Sequence, residues 1–425
     1  MKLRSYWLDT AKPAGDFRQA ALPDAVDVVV VGGGLTGLST ALHLARRGAS
    51  VAVLEAHTLG WGASGRNGGM ATTGLAIGFP KAVKRYGPET ASRMFLAYND
   101  AIDTVEDVVR TEGIDCDFER VGKLTLACKP SHFDGFQSTA ELIRRHTGQQ
   151  VSLVSRDDLR AEIGSDYYHG AMVDPLGAGV HVGKLVAGMA GAAAQQGASL
   201  HEDCEVVSLD RLGGTRHRVR TSQGELEAGN VVVATSGYSG KLMPWLRRRI
   251  VPIGSFIIVT EPLPAPVVTD VMPTRRVAAD SKNLLYYFRI TPDNRMLFGG
   301  RARFALSSAG SDLKSGKILH QAMAEVFPQL TSARVDYCWG GLVDMTLDQM
   351  VHAGQRDGVH YSVGYCGHGV QMATHMGKVM AEVLDGGAAE NPWDGLSFRA
   401  IPGHVGPPWF LPPVGAYFRA VDAVK

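Results

Sequence analysis

The stretch Val26-Asp27-Val28-Val29-Val30-Val31-Gly32-Gly33-Gly34-Leu35-Thr36-Gly37 sets the fold. The β-branched run over 26–31 has the composition of a strand buried on both faces. Three glycines follow, and Leu38, Ala41, Leu42 and Ala45 then fall at helical spacing, with Gly48 placed to end the helix. A second β run, Ser50-Val51-Ala52-Val53-Leu54-Glu55, completes a strand–loop–helix–strand unit and so implies parallel strands joined by a right-handed crossover. In Gly32-x-Gly34-x-x-Gly37, Gly32 permits the tight turn, Gly34 lets backbone approach a pyrophosphate, and Gly37 lets helix and strand pack closely. The helix N-terminus offers unpaired N–H groups to phosphates, and Glu55 is placed to accept hydrogen bonds from a ribose diol. The unit predicts dinucleotide binding without separating a nicotinamide from a flavin nucleotide.

Two further glycine clusters bear on that choice. Gly62-Ala63-Ser64-Gly65-Arg66-Asn67-Gly68-Gly69 follows soon after the second strand, where bare backbone can line a bulky flat ligand. Gly364-x-x-Gly367-His368-Gly369-Val370 precedes a helix predicted over 370–384. Its N–H groups can face the negative charge that a reduced flavin carries near N1 and O2. A nicotinamide-dependent dehydrogenase leaves both clusters without a role.

The remaining chain is read as a helix over 81–112 with Met94, Phe95, Tyr98, Ile102 and Val105 on one face, a strand over 123–128 and an Ala-rich helix over 182–196. A buried strand over 230–234 runs into Thr235-Ser236-Gly237. Antiparallel strands follow over 250–260 and 284–304, the latter folded at Pro292-Asp293-Asn294, and a short strand over 359–363. The expected fold class is α/β (α+β): a Rossmann-type dinucleotide domain interleaved with an antiparallel-sheet substrate domain. The expected boundaries are 22–85, 151–245 and 336–390 for the first and 86–150 and 246–335 for the second. The aromatic-rich tail, 391–425, is a strap against the body or an oligomer contact.

Composition narrows the classes. Glycine is the outlier, 51 of 425 residues, well above the ordinary ~7%. Lys+Arg 43 against Asp+Glu 42 provides no broad basic surface, which argues against a nucleic-acid or anionic-membrane binder. The five cysteines, Cys116, Cys128, Cys204, Cys338 and Cys366, form no CxxC, arguing against a structural metal site or a disulfide framework. The apolar runs are too short to span a bilayer and the N-terminus has no signal-peptide core, so a reduced cytoplasmic protein is expected.

Together the three glycine clusters, Asp174-Pro175-x-Gly177, Ala234-Thr235-x-Gly237, Trp339-x-Gly341 with Thr346 and Asp348, and Leu54-Glu55-Ala56 resemble the D-amino-acid-oxidase-like FAD-dependent amine oxidoreductases over nearly the whole chain. The resemblance implies FAD as cofactor. Gly32, Gly34, Leu35 and Thr36 would contact its pyrophosphate, and Glu55, followed by Ala56, its adenosine ribose. Gly62, Ala63, Ser64, Arg66, Asn67, Gly68 and Gly69 would run along the pyrophosphate and the isoalloxazine edge. Val206 would hold adenine by its backbone, with Thr235, Gly237 and Gly341 also beside the cofactor. Gly367, His368, Gly369 and Val370 would cap the pyrimidine end. Some members attach FAD to a histidine where Arg66 stands or to a cysteine matching Gly341, so the flavin is expected to be non-covalent, with Cys338 the nearby residue to watch. Some oxidase members carry a flavin-facing lysine where Leu297 aligns.

The expected reaction is oxidation of the C–N bond of a small amine or amino-acid derivative, γ-glutamyl-polyamine-like or an N-alkyl amino acid. Hydride passes to flavin N5 and the resulting imine hydrolyses, with O2 as acceptor and H2O2 as product. The alternatives are an amine dehydrogenase using another acceptor and a non-catalytic FAD-binding subunit. Candidate catalytic residues are His368, whose protonated form would add positive field near the flavin, and Tyr286 and Arg289 on a substrate-domain strand, Arg289 as a bidentate carboxylate clamp. Strand alternation puts Tyr287 with Arg289 and Tyr286 with Phe288. His181 reads as structural.

Overall fold

The computed structural model describes residues 1–300, 309–387, 390–406 and 408–424. Its first sheet has a parallel centre, ordered Val359–Val363, Glu225–Val233, Ala25–Val31, Val51–Leu54, Ser199–His201. In register, Val31 stands beside both Leu54 and Val233. The valine run divides by alternation. Val28 and Val30 pack under the helices Leu35–Ala45, Val182–Gln195 and Gly369–Leu384, while Val29 and Val31 enter a separate core on the opposite face. That is the both-faces burial expected of a parallel strand. The antiparallel pair Val206–Gly213 and Arg216–Thr221 leads into Glu225–Val233 at the sheet edge.

The second sheet is mixed. Its order is Val335–Met345, Val251–Thr260, Met296–Gly300, Tyr286–Ile290, Val277–Asp280, Lys123–Leu126, Ala171–Asp174, Ser152–Val154, antiparallel except for the Val277–Asp280 and Lys123–Leu126 pair. The predicted 284–304 hairpin is present as Tyr286–Ile290 and Met296–Gly300; residues 301–304 of that reading lie outside the described residues.

Strand pairing crosses the expected segment limits. Ser152–Val154 and Ala171–Asp174 pair into the second sheet, although 151–245 was expected with the nucleotide domain. The strand Val335–Met345 likewise lies along Val251–Thr260. Helix Pro88–Thr111, expected with the second domain, buries its predicted apolar face in the core that holds Leu38 and Met376. Alternation and periodicity give an element's type, whereas its hydrogen-bonding partner is chosen between strands far apart in sequence. The C-terminal segment lies against the body, with Ile401 N donating to Arg248 O at 2.8 Å and Leu411 packed with Val251 and Ile253. Asp422, on helix Leu411–Val424, accepts hydrogen bonds from the backbone N–H groups of Asn283 and Leu284. No helix among the described residues is long and apolar enough to cross a membrane.

Three histidines sit among the helices that cover the first sheet, His181 buried and His43 and His375 half-buried. His43 has no partner for Nε2 among the described residues. His181 caps Val182–Gln195, its Nδ1 accepting from Lys184 N at 3.2 Å, and His375 Nδ1 lies 2.9 Å from Thr104 Oγ1. Burial lowers the pKa of each to about 4. The unfolded chain therefore takes up protons from about pH 6.5 downward that the fold refuses. Their stabilising contribution is complete above that pH and is lost as pH falls toward 4. The urea midpoint should fall across that window, and His43→Asn should flatten the slope by up to one proton; an unchanged slope in the variant would contradict the assignment.

Candidate active site

The nucleotide end is built around glycine contacts that leave no room for a side chain. Gly32 has φ +108°, and a Cβ there would stand 2.9 Å from Ala234 O. A Cβ on Gly37 would collide with Gly32 O, so helix Leu35–Ala45 sits at its observed distance only because residue 37 is glycine. Glu55 closes the crossing: Oε2 accepts from Gly33 N at 2.8 Å and Oε1 from His57 N at 3.0 Å. Burial raises its pKa, and the two amide hydrogen bonds oppose that shift.

The second cluster is stitched to the first. Ser64 Oγ accepts from Leu35 N at 2.9 Å and would lie 2.8 Å from a Cβ on Gly34. Arg66 donates to Trp61 O at 2.7 Å and Gly340 O at 3.1 Å, with its guanidinium over the Trp61 ring. Gly341 faces it across the loop, where a Cβ would be 3.0 Å from Arg66 Cβ. Asn67 clamps its own loop, donating to Ala63 O and Ser64 O and accepting from Gly69 N at 2.8 Å. The N-terminal segment braces the loop from behind: Trp7, fully buried, donates Nε1 to Asn67 O at 2.7 Å, and Ser5 donates to Gly65 O.

The third cluster is held by Asp344, whose carboxylate accepts from Gly364 N at 2.7 Å and Tyr365 N at 3.3 Å. Burial raises the Asp344 pKa. Tyr365 OH lies 2.8 Å from Thr36 Oγ1, joining this loop to the nucleotide helix. His368 stands at the N-cap of Gly369–Leu384 with its ring edge-on to Tyr98. Its Nδ1 is buried without a partner among the described residues. Burial, helped by the nearby Lys123 charge, drives its pKa down to about 3. That shift favours the neutral imidazole and weighs against the protonated form considered from the sequence.

All three clusters open onto one cavity of about 840 Å³ that reaches the second sheet. Gly32, Gly34, Leu35, Thr36, Glu55, Ala56 and Val206 line it together with Gly62, Ala63, Ser64, Arg66, Asn67, Gly68, Thr235 and Gly341. Gly367, His368, Gly369 and Val370 form another part of the wall, and Met70, Thr72, Lys123, Thr125, Ser255 and Tyr287 also contribute. The bare glycine cradle, the helix N-terminus and the carboxylate at the strand end fit a dinucleotide, and the volume leaves room for a small second molecule.

Four expected site residues stand elsewhere. Gly69 and Gly237 lie behind the wall; Gly69, with φ +67°, is packed against Val180 O and Trp7. Tyr286 points into the second-sheet core, its ring beneath Lys282 Nζ at 3.6 Å. Arg289 is buried and donates to Gly69 O and Val180 O, so it props the second cluster and is not free to clamp a substrate carboxylate. Burial lowers its pKa to about 10. Alternation had paired the correct residues, but the face that meets the cavity does so through Tyr287, whose OH lies 3.0 Å from Ser255 Oγ. Leu297 is fully buried in the core, and Cys338 lies in the second-sheet core with Sγ 3.2 Å from Asp312 O; neither lines the cavity. Sequence reading missed Lys123, Ser255, Asp344 and Tyr365. The alternation of Lys123 and Thr125 with Leu124 and Leu126 was the available signal for the first.

Two substitutions test this geometry. Glu55→Ala removes a charged acceptor, so FAD affinity should fall roughly 10- to 150-fold, from about 1.5–3 kcal/mol, in equilibrium dialysis of the folded variant. Arg289→Met should lower unfolding stability by about 1.5–3 kcal/mol by leaving two buried carbonyls without their donor. A stable Arg289→Met variant with only weakened substrate binding would instead make Arg289 a substrate residue.

Residues 27–383 match the DAO family, described as FAD dependent oxidoreductase. The chain is 34% identical to gamma-glutamylputrescine oxidoreductase of Escherichia coli (strain K12) over 386 residues, 90% of this chain and 89% of that one. It is 26% identical to glycine oxidase of Geobacillus kaustophilus (strain HTA426) over 379 residues, 84% of this chain and 93% of that one. The crystal structure of glycine oxidase from Geobacillus kaustophilus superposes with a TM-score of 0.73 at 23% identity, covering 90% of this chain and all of that one. The chain belongs to the DAO family of FAD-dependent oxidoreductases.

Proposed function

We propose that this enzyme oxidises the C–N bond of a small amine or amino-acid derivative to an imine, which water then hydrolyses, with O2 as the electron acceptor. The observation that carries the reading is the single cavity that runs from Glu55 past both capping loops to Tyr287 and Ser255 on the second sheet. A substrate at the far end meets the cofactor without leaving the protein. Relatives named for gamma-glutamylputrescine, glycine and sarcosine support an amine as the reacting group. Bound FAD supplies the hydride acceptor. The chain's own residues orient and enclose. Ser255 and Tyr287 form a hydroxyl pair that can fix the amine, and apolar walls from Leu75, Val277 and Ala278 keep the site dry. A dry site favours the neutral amine, whose lone pair the reaction needs. The N-terminus of Gly369–Leu384 directs positive potential toward the cavity, which supports O2 over another acceptor by stabilising developing negative charge.

The purified protein should be yellow, and acid precipitation should release the flavin, because Arg66 and Gly341 stand where some relatives carry a covalent link. An anaerobic amine substrate should bleach the 450 nm band. Oxygenated buffer should restore it with stoichiometric peroxide. A band that returns only with a dye or quinone would make the enzyme a dehydrogenase, and a flavin that no amine bleaches would reject amine oxidation.

A further inference from the structure

Residues 1–26 lie outside the stretch that matches the family, yet part of this segment is packed into the rear of the second glycine loop. Trp7, on the short helix Tyr6–Thr10, is fully buried, with its ring edge-on to Tyr6 and His181 at centroid distances of 5.0 and 4.8 Å. A Cβ on Gly183 would collide with Trp7 O, and one on Gly69 would stand 2.9 Å from the indole. The ring is wedged between helix Val182–Gln195 and the loop, so its Nε1–H has one direction in which to donate.

The loop's carbonyls are held from outside. Ser5 Oγ donates to Gly65 O, Trp339 Nε1 to Arg66 O at 3.0 Å, Trp7 Nε1 to Asn67 O at 2.7 Å, and Arg289 to Gly69 O. On the amide side, Gly65 N donates to Gly62 O, Arg66 N to Ala63 O and Gly69 N to Asn67 Oδ1. Asn67 N and Gly68 N have no partner among the described residues. In a planar trans peptide the C=O of one residue and the N–H of the next point in opposite directions. With Asn67 O held behind the loop by Trp7, Gly68 N–H points away from the indole, on the side where Asn67 and Gly68 line the cavity. Nothing within the loop fixes that plane. The Asn67 side chain is engaged with Ala63 O, Ser64 O and Gly69 N, and Asn67 O has Trp7 Nε1 as its one donor among the described residues. Residue 68 is a glycine pressed against Tyr287, where a Cβ would stand 3.1 Å from the ring, and glycine lets a peptide plane turn at small cost.

We propose that Trp7 is a positioning residue for the bound flavin: by holding Asn67 O from behind, it keeps the Gly68 N–H aimed into the cavity, where that N–H stabilises the negative charge the ring gains with a hydride. This rests on the reading that the loop runs along the flavin ring and is independent of which substrate is oxidised. Trp7 does not itself line the cavity, so its effect passes through one peptide plane.

The two-electron reduction potential of the bound flavin is measured by dye equilibration of the holoenzyme, with no amine present and FAD content checked by absorbance. Trp7→Phe keeps an aromatic ring and loses the donor. Its preference for the reduced over the oxidised flavin should fall roughly 3- to 10-fold, which lowers the potential by about 14–30 mV at 29.6 mV per tenfold. Tyr6→Phe removes a hydrogen bond of the same short helix, Tyr6 OH to Asp293 at 2.7 Å, without touching the loop, and should lower stability while leaving the potential at its wild-type value. The sequence holds one Asn–Gly dipeptide, 67–68, so wild-type holoenzyme carrying carbonyl-13C asparagine and 15N glycine gives one selective amide signal for that peptide. Reduction by dithionite should shift the signal, a measurement that stands even where Trp7→Phe does not fold. An unchanged potential in folded Trp7→Phe, an equal fall in Tyr6→Phe, or a Gly68 amide signal that reduction leaves in place would overturn the proposal. A holoenzyme that oxidises no amine would reject the amine-oxidation reading and leave each of these readouts intact.

Discussion

The carboxylate of Glu55 takes the amides of Gly33 and His57 at the same time, at 2.8 and 3.0 Å, and this double contact ties the glycine turn to the end of the neighbouring strand. The turn can occupy that position only because the backbone there comes nearly into contact with itself. Gly37 lies directly over Gly32 O, and Gly32 over Ala234 O. With the crossing set, the N-terminus of the nucleotide helix has one location, and the remaining loops are referenced to it. Ser64 meets Leu35 N, and Tyr365 meets Thr36. Three segments remote in sequence become one cradle through two side-chain contacts.

The same cradle is supported from outside. Trp7 and Ser5 fasten the second glycine loop to the N-terminal segment, and Lys2 continues that segment along the edge of Val335–Met345. Arg289 reaches the loop from the second sheet, so both sheets grip the same few residues. An arginine suits this position because its planar fork of five donors satisfies carbonyls of two different segments at once, which an ammonium could do less rigidly.

Charge is distributed unevenly along the cavity. At the nucleotide end the Glu55 carboxyl accepts two backbone hydrogen bonds. In the middle, buried Asp344 organises the turn before the capping helix, and burial holds the His368 pKa down. At the substrate end Lys123 is the cation whose donors remain largely unused among the described residues. Desolvation governs each of these groups more than any single partner does. A low-dielectric lining makes whatever polar contact the substrate provides count more than it would in water.

The sequence by itself determined the elements whose signal is local. The valine run, the three glycines, the helical spacing of Leu38 to Ala45 and the acid at the next strand end are each set by contacts within a few residues, and their order admits one crossover. The spacing of the other two glycine clusters made most of the cradle legible too. Tertiary structure decided what depends on partners distant in the chain. Residues 152–154, 171–174 and 335–345 joined the second sheet, Arg289 turned to the carbonyls behind Gly69, Tyr287 and not Tyr286 reached the cavity, and Lys123 entered it without an ion pair among the described residues. A strand's alternation states that two faces exist. Only the packing of the second sheet against the first sheet's helices states which face the cavity receives, and burial is what chiefly lowers the His368 pKa.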